Sequence, residues 1–246
     1  MDIKDFLDFH AERINNKDFI KDDPVQFPRR YNRLQDIEIV SFLVTTIAWG
    51  NRKMILRNSE KMLEKMGVSP YDYVMSGGFE SLGTANVHRT FFEYNMAYML
   101  RGFRQFYTAY DSMDAFMASC TDKSPQTLVA ALRQAALDAN GGIPDVRCYS
   151  SDLKNSALKR VNLALRWLVR DDGIVDLGVW KSLKKSQLYI PLDVHVGDIA
   201  RETGLLTRRS NDWRAVEELT AQLRRFDPED PIKYDFALFG IGVERK

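Results

Sequence analysis

The stretch YIPLDVHVGDIARETGLL, residues 189–206, decides how the rest of the chain is read. An apolar run turns on Pro191, presents Asp193, and then repeats apolar residues at helical spacing through Val196, Ile199 and Ala200. The pattern predicts a helix from Val194 to Thr203 with Asp193 at its N-cap, where a short carboxylate accepts the unpaired backbone N–H groups of the first turn. The helix dipole also favours negative charge there. Asp193 is therefore either a structural cap or a carboxylate held at the lip of a cleft, and the two roles are compatible.

The same helical rhythm runs outward in both directions. In QDIEIVSFLVTTIAWGNRKMILRNSEKMLEKMG, Ile37, Val40, Leu43, Val44 and Ile47 form one apolar stripe. Gly50-Asn51 breaks it, and a second helix runs to about Met66. A short helix with a glycine stop follows in SPYDYVMSGG. FFEYNMAYMLRGFRQFYTAY reads as one long aromatic helix. SPQTLVAALRQAALDAN opens on Ser124 with proline at the first helical position and ends at Gly141-Gly142. SALKRVNLALRWLVRDDG reads as a helix capped by Ser156, and further helices fall at 212–225 and from Pro231 to about Phe239. Strand signals are weak; GIVDLGVW fits an extended piece, a loop or a helical turn equally. The expectation is an all-α, two-lobed chain with a cleft between lobes. The lobe boundary falls near 140–151, where periodicity lapses, and the C-terminal segment folds back on the N-terminal one.

Composition narrows the function. A net charge of +1 over 246 residues excludes a polycation, so any nucleic acid must meet a local basic patch. One candidate patch runs from Arg147 to Arg170, with six basic residues against the single acid Asp152. Two cysteines, Cys120 and Cys148, are too few for an all-cysteine zinc site or a four-cysteine iron–sulfur cluster in this chain. The three histidines, His10, His88 and His195, are scattered, and no metal or other cofactor is predicted. No phosphate-cradling glycine loop, HExxH or nucleophile elbow occurs. The opening MDIKDFLDFHAERI is charged and amphipathic, unlike a signal peptide, and no run is apolar enough to cross a membrane. A cytoplasmic location without membrane partners is expected.

The aspartate segment PLDVHVGDIARETGLL, preceded by the lysine-bearing SALKRVNLALRWLVR, resembles the helix-hairpin-helix DNA glycosylase superfamily, in particular its divergent archaeal 8-oxoguanine glycosylases. IVSFLVTTIAWGNRKMILRNSEKML is similar to the first core helices of that superfamily and KYDFALFGIGV to its closing helix. As a whole the chain is most similar to a bacterial family that carries only a domain-of-unknown-function label. The resemblance implies a catalytic carboxylate at Asp193 and a nucleophilic lysine at Lys159, with Lys154 as the alternative nucleophile. The interval between the pair, 34 residues (193 − 159), is similar to that in the archaeal enzymes. It also implies damaged double-stranded DNA as the partner. Two features depart from the superfamily. SSDLKNSALKRVN has no glycine, whereas the usual hairpin turn grips a phosphate through glycine amides. The iron–sulfur cysteines of many members are missing too.

The chemistry suits these residue types. Cleaving a glycosidic bond builds positive charge on the sugar, which a carboxylate stabilises. A neutral lysine amine can attack C1′ and form a Schiff base, from which strand scission by elimination follows. The target base must leave the stack for an aromatic pocket, for which Trp49, His88, Phe91 and Trp167 are candidates. Arg160, Arg166, Arg208 and Arg209 are candidate DNA contacts. The expected function is a DNA glycosylase for a damaged, oxidised-purine-type base, with or without abasic-site lyase activity. One alternative is a DNA- or RNA-structure binder that kept the scaffold without the chemistry; another is an interaction protein whose basic helix meets an acidic partner. Helical geometry alone places Lys159, Arg166 and Arg170 on a solvated face, opposite Ala157, Val161, Ala164, Leu165 and Leu168. His195 reads best as a hydrogen-bonded, partly buried histidine.

Overall fold

The structure, a computed structural model, describes residues 2–244. In chain order the helices are α1 (Ile3–Ile14), α2 (Lys17–Lys21), α3 (Leu34–Thr46), α4 (Arg52–Glu64), α5 (Pro70–Ser76), α6 (Glu93–Ala109), α7 (Met113–Ser119), α8 (Pro125–Ala139), α9 (Lys159–Val169), α10 (Val194–Glu202), α11 (Trp213–Phe226) and α12 (Tyr234–Glu244). Between α5 and α6, β1 (Asn86–His88) pairs antiparallel with β2 (Phe91–Phe92). The chain is thus mostly helical. It forms two compact units, Met1–Lys21 with Lys154–Lys246, and Asp22–Leu153. No helix among the described residues is long and apolar enough to cross a membrane.

In the Asp22–Leu153 unit, α3 is buried along nearly its whole length, as expected of a helix apolar on all sides. Its polar residues are therefore spent on neighbouring backbone. Asp36 accepts from the Ser69 hydroxyl and the Tyr71 N–H, fixing the start of α5. Glu38, fully buried, accepts from the Tyr107 hydroxyl at 2.9 Å and from the first N–H groups of α7, Met113 and Asp114, at 3.0 Å each. A core carboxylate thus caps a neighbouring helix. The break after α3 falls where expected: Gly50 has φ +96° and the Asn51 side chain caps α4 by accepting from Met54 N–H.

Phe91 and Phe92 correct one sequence expectation. Rather than opening a long helix they form β2, whose partners are His88 and Asn86 across a tight turn with Arg89 at φ +51°. α6 starts only at Glu93, with Phe92 N–H bonded to the Asn95 side chain at 2.8 Å. Adjacent bulky aromatics suit a pleated ribbon at least as well as a helix.

In the other unit, α12 is the central element, packed by both α1 and α10. Phe236 meets Phe19 edge-on at 5.3 Å, and Arg13 of α1 forms a bidentate pair with Glu244 at 2.7 Å. The N-terminal segment is in this way part of the C-terminal bundle.

Burial pushes the Glu38 carboxyl up to about 7, against the three hydrogen bonds that favour its charged form. A carboxyl whose folded pKa is raised binds more protons when folded, so stability falls as pH rises from about 4.5 to about 7 and is then level, by roughly 3 kcal/mol. Urea unfolding of Glu38→Gln is expected to lack this slope. Glu38→Ala, which orphans three buried donors, is expected to lose about 2–4 kcal/mol at pH 6.

Candidate catalytic pair

Asp193 occupies the N-cap of α10 with extended backbone, φ −120°. Its Oδ1 accepts from Val196 N–H at 3.0 Å. The segment is fixed from behind by Asn211, whose side-chain amide donates to the Asp193 carbonyl at 3.1 Å and whose oxygen accepts from Arg201. Arg201 is itself anchored through Nε to the Arg208 carbonyl at 2.9 Å. This arrangement requires Gly197: a Cβ there would come within 2.8 Å of the Asn211 side-chain oxygen and 2.9 Å of Arg201 Nη1. The glycine in VGDIA is there for close approach.

Capping uses one carboxylate oxygen. The other, Oδ2, lies 3.4 Å from Lys159 Nζ. Lys159 is the first residue of α9, and Leu158 before it is left-handed, φ +47°. Ser156 is not the helix cap, as the sequence suggests; its hydroxyl accepts instead from Leu158 N–H at 3.3 Å. The turn is pinned further by Trp213 N–H donating to Asn155 O at 2.8 Å and by Asn162 Nδ2 reaching back to Ala157 O at 3.1 Å. A left-handed leucine costs about 1–2 kcal/mol, and its buried side chain shows why glycine is not used there. The strained residue sets the direction in which α9 begins, and hence where Lys159 points. The positive ends of two helix dipoles, α9 and α10, are brought to one carboxylate. Both side chains keep some solvent exposure, 28% for Lys159 and 16% for Asp193.

Behind the pair runs a buried chain of charge. Arg166, two turns along α9, pairs with Asp235 of α12 and, through Nε at 3.2 Å, with Asp176. Arg170 reaches Asp172, Asp176 at 3.0 Å and Asp230 at 2.9 Å. Arg166 is therefore not a DNA contact, and of the face of α9 expected to be solvated Arg166 and Arg170 are internal while Lys159 stays partly exposed. Both guanidiniums are 3% exposed because carboxylates from later in the chain neutralise them, which the local periodicity of α9 does not register. Burial pushes the Asp235 carboxyl up to about 6 against the pull of Arg166, and the charge on Asp193 adds to the rise. Asp235 is thus an electrostatic neighbour of Asp193 that the sequence reading missed. A lone acid in the apolar run YDFALFGIGV was the available signal.

The remaining sequence-selected residues divide. Lys154 is exposed in the irregular segment before α9. Arg160 is half-buried in the first turn of α9, and Arg209 is exposed. Arg208 forms a bidentate pair with Asp212, the cap of α11, at 2.7 and 2.5 Å, and this hydrogen bonding pulls Asp212 down to about 2. His195 is half-buried, with Nδ1 3.2 Å from the Gly242 carbonyl. Of the proposed base-pocket residues, Trp167 lies on α9 itself, fully buried in the core, and cannot meet a base. Trp49, His88 and Phe91 belong to the Asp22–Leu153 unit. His88 is buried with its ring nitrogens bonded to Trp49 O at 2.9 Å and Asn58 at 3.0 Å, and Phe91 is buried too. Trp49 is 36% exposed, with the Arg89 guanidinium 4.5 Å from its ring centroid.

Two substitutions test this construction. Asp193→Asn keeps a capping oxygen and is expected to unfold within about 0.5 kcal/mol of wild type, whereas Asp193→Ala loses about 1 kcal/mol. Arg166→Ala leaves Asp235 with an unmatched buried charge and is expected to lose about 3–5 kcal/mol in urea unfolding.

No curated protein and no solved structure is detectably similar to the chain. A family model described as a protein of unknown function, DUF2400, matches residues 23–244, which take in nearly all of the Asp22–Leu153 unit and the other unit apart from its N-terminal segment. The chain belongs to the DUF2400 family.

Proposed function

We propose that the protein is a DNA N-glycosylase that removes a damaged base of the oxidised-purine type and uses Lys159 and Asp193. The observation that carries this reading is the 3.4 Å approach of Lys159 Nζ to Asp193 Oδ2. Residues 34 apart in sequence (193 − 159), singled out by the family resemblance, share one partly exposed point at the meeting of two helix N-termini. The two-lobed, cleft-bearing glycosylase scaffold belongs to the same proposal and rests on the resemblance of the aspartate and lysine segments to that superfamily.

Each group has a defined task. The amine attacks only in its neutral form, its proton passing to the departing base, while Asp193 stays ionised beside it. As the C1′–N bond lengthens, the carboxylate faces the developing positive charge on the sugar. The leaving base takes the bonding electron pair, and the lysine nitrogen forms the new bond to C1′. Ring opening gives a Schiff base, which either hydrolyses or eliminates the 3′ phosphate, completing the abasic-site lyase reaction. The Asn211–Arg201 bracket keeps the Asp193 backbone in place throughout. Arg160, half-buried in the first turn of α9, and Arg209, exposed after α10, are the side chains assigned to hold phosphates.

The test is borohydride trapping on duplexes carrying 8-oxoguanine, uracil or an abasic site. Wild type is expected to form a covalent adduct that Lys159→Gln lacks. Asp193→Asn is expected to slow base release by a hundredfold or more with DNA affinity retained. An adduct that persists in Lys159→Gln removes this lysine as the nucleophile. Intact DNA binding with no base release from any lesion favours instead a DNA- or RNA-structure binder on the same scaffold.

A further inference from the structure

In the Asp22–Leu153 unit, a groove of about 840 Å³ lies between α4 and the β1–β2 hairpin. One wall is built by α4. Arg57 and Lys61 line the groove, and Lys53 continues their row one turn earlier. Positions four apart stack on one helix face, so the three cations recur about every 6 Å and span about 12 Å. Arg89 reaches in from the hairpin. Five other basic residues of this unit have carboxylate partners: Arg30 with Glu60, Arg33 with Asp72, Arg52 with Asp23, Lys65 with Glu93, Arg101 with Glu80. Among the described residues, Lys53, Arg57, Lys61 and Arg89 have none within 4.0 Å; Arg57 bonds only to the Asn58 side chain, at 3.5 Å. Glu64 also lines the groove, while Lys65 and Glu93 neutralise each other. The lining therefore carries a surplus of positive charge.

Arg89 is held in place by several features. Its backbone is left-handed at φ +51°, its carbonyl accepts from Asn86 Nδ2 at 2.6 Å, and its guanidinium lies 4.5 Å from the Trp49 ring centroid. Gly50, itself at φ +96°, makes room for it: a Cβ there would come within 2.5 Å of Arg89 Nη1. Strain of this kind persists only where the surroundings over-determine it. A like-charge row on a helix is destabilising by itself, so an uncompensated row facing a preset arginine implies an anion. A single phosphate cannot reach cations spread over about 12 Å of helix. A chain of regularly spaced phosphates can, and Asn58 and Asn86 offer further donors beside it.

We infer that the groove between α4 and the β1–β2 hairpin binds the sugar–phosphate backbone of a nucleic acid strand. Arg57, Lys61 and Arg89 supply the phosphate contacts, and Lys53 extends the track. The site lies in the unit that does not hold Lys159 and Asp193, and its binding does not depend on base excision.

Fluorescence anisotropy with the full chain tests this, using undamaged, labelled DNA and RNA oligonucleotides, single-stranded and duplex, over a range of salt. Arg57→Gln/Lys61→Gln alters two exposed side chains, and circular dichroism and thermal melting verify its fold. Its affinity for at least one of the four probes is expected to fall tenfold or more near 100 mM salt, with the log–log salt slope smaller by about two. The probe most affected identifies the strand type. Lys17→Gln/Arg225→Gln, which removes the same charge elsewhere, is expected to stay within twofold of wild type. Unchanged affinity and slope in the groove variant overturn the inference. So does displacement of the oligonucleotide by poly-glutamate as effective as by unlabelled oligonucleotide, which would assign the groove to an acidic peptide. Lys159→Gln run in parallel separates the two proposals. Lost trapping with normal binding concerns the catalytic pair alone, and lost binding in the groove variant stands whether or not wild type releases a base.

Discussion

The pairing of Arg166 and Arg170 with carboxylates from three later segments is the constraint on which the Lys159 site depends. A guanidinium placed in a core has to be matched there, because removing an ion from water costs several kcal/mol even after relaxation. Asp235 matches Arg166 from α12, Asp230 matches Arg170 from the segment before α12, and Asp176 bridges the two. These contacts fix the rotation of α9 about its axis. Since Lys159 and Arg166 lie on the same rigid helix, fixing one end orients the other. The lysine comes to the cap of α10 because two arginines further along hold the helix in that setting.

Asp193 divides its two carboxylate oxygens between a helix cap and a lysine. Its Oδ1 satisfies a backbone donor that every helix leaves open, and its Oδ2 faces the lysine. The cap makes the carboxylate rigid, and the Asn211–Arg201 bracket holds the backbone beneath it. Preorganisation of this kind is what an electrostatic role requires, since a group already in place spends little reorganisation energy during reaction. The neighbouring Asp235 adds negative charge behind the site while sharing Arg166.

The sequence reading succeeded where local chemistry suffices and failed where partners are distant. Asp193 and Ser124 as caps, the break at Gly50-Asn51, and the glycine stops after α5 and α8 follow from rules that act within four residues. Arg166 and Trp167 were misassigned for a common reason. An arginine in an amphipathic pattern reads as solvated unless its counter-charges are visible, and those of Arg166 lie 10 and 69 residues away. The β1–β2 ribbon escaped notice because three residues paired with two give almost no periodic signal.

By itself the sequence determined the helical class, most helix limits and several helix caps. These follow from backbone propensity, capping and side-chain chemistry, all of which act over short range. Only the tertiary structure decided that Lys159 meets Asp193, that Arg166 is interior, and that Arg57, Lys61 and Arg89 share one unpaired groove. Each of those outcomes turns on which charges find partners across the chain. Charge pairing depends on distance through space, and separation along the sequence carries almost no information about it.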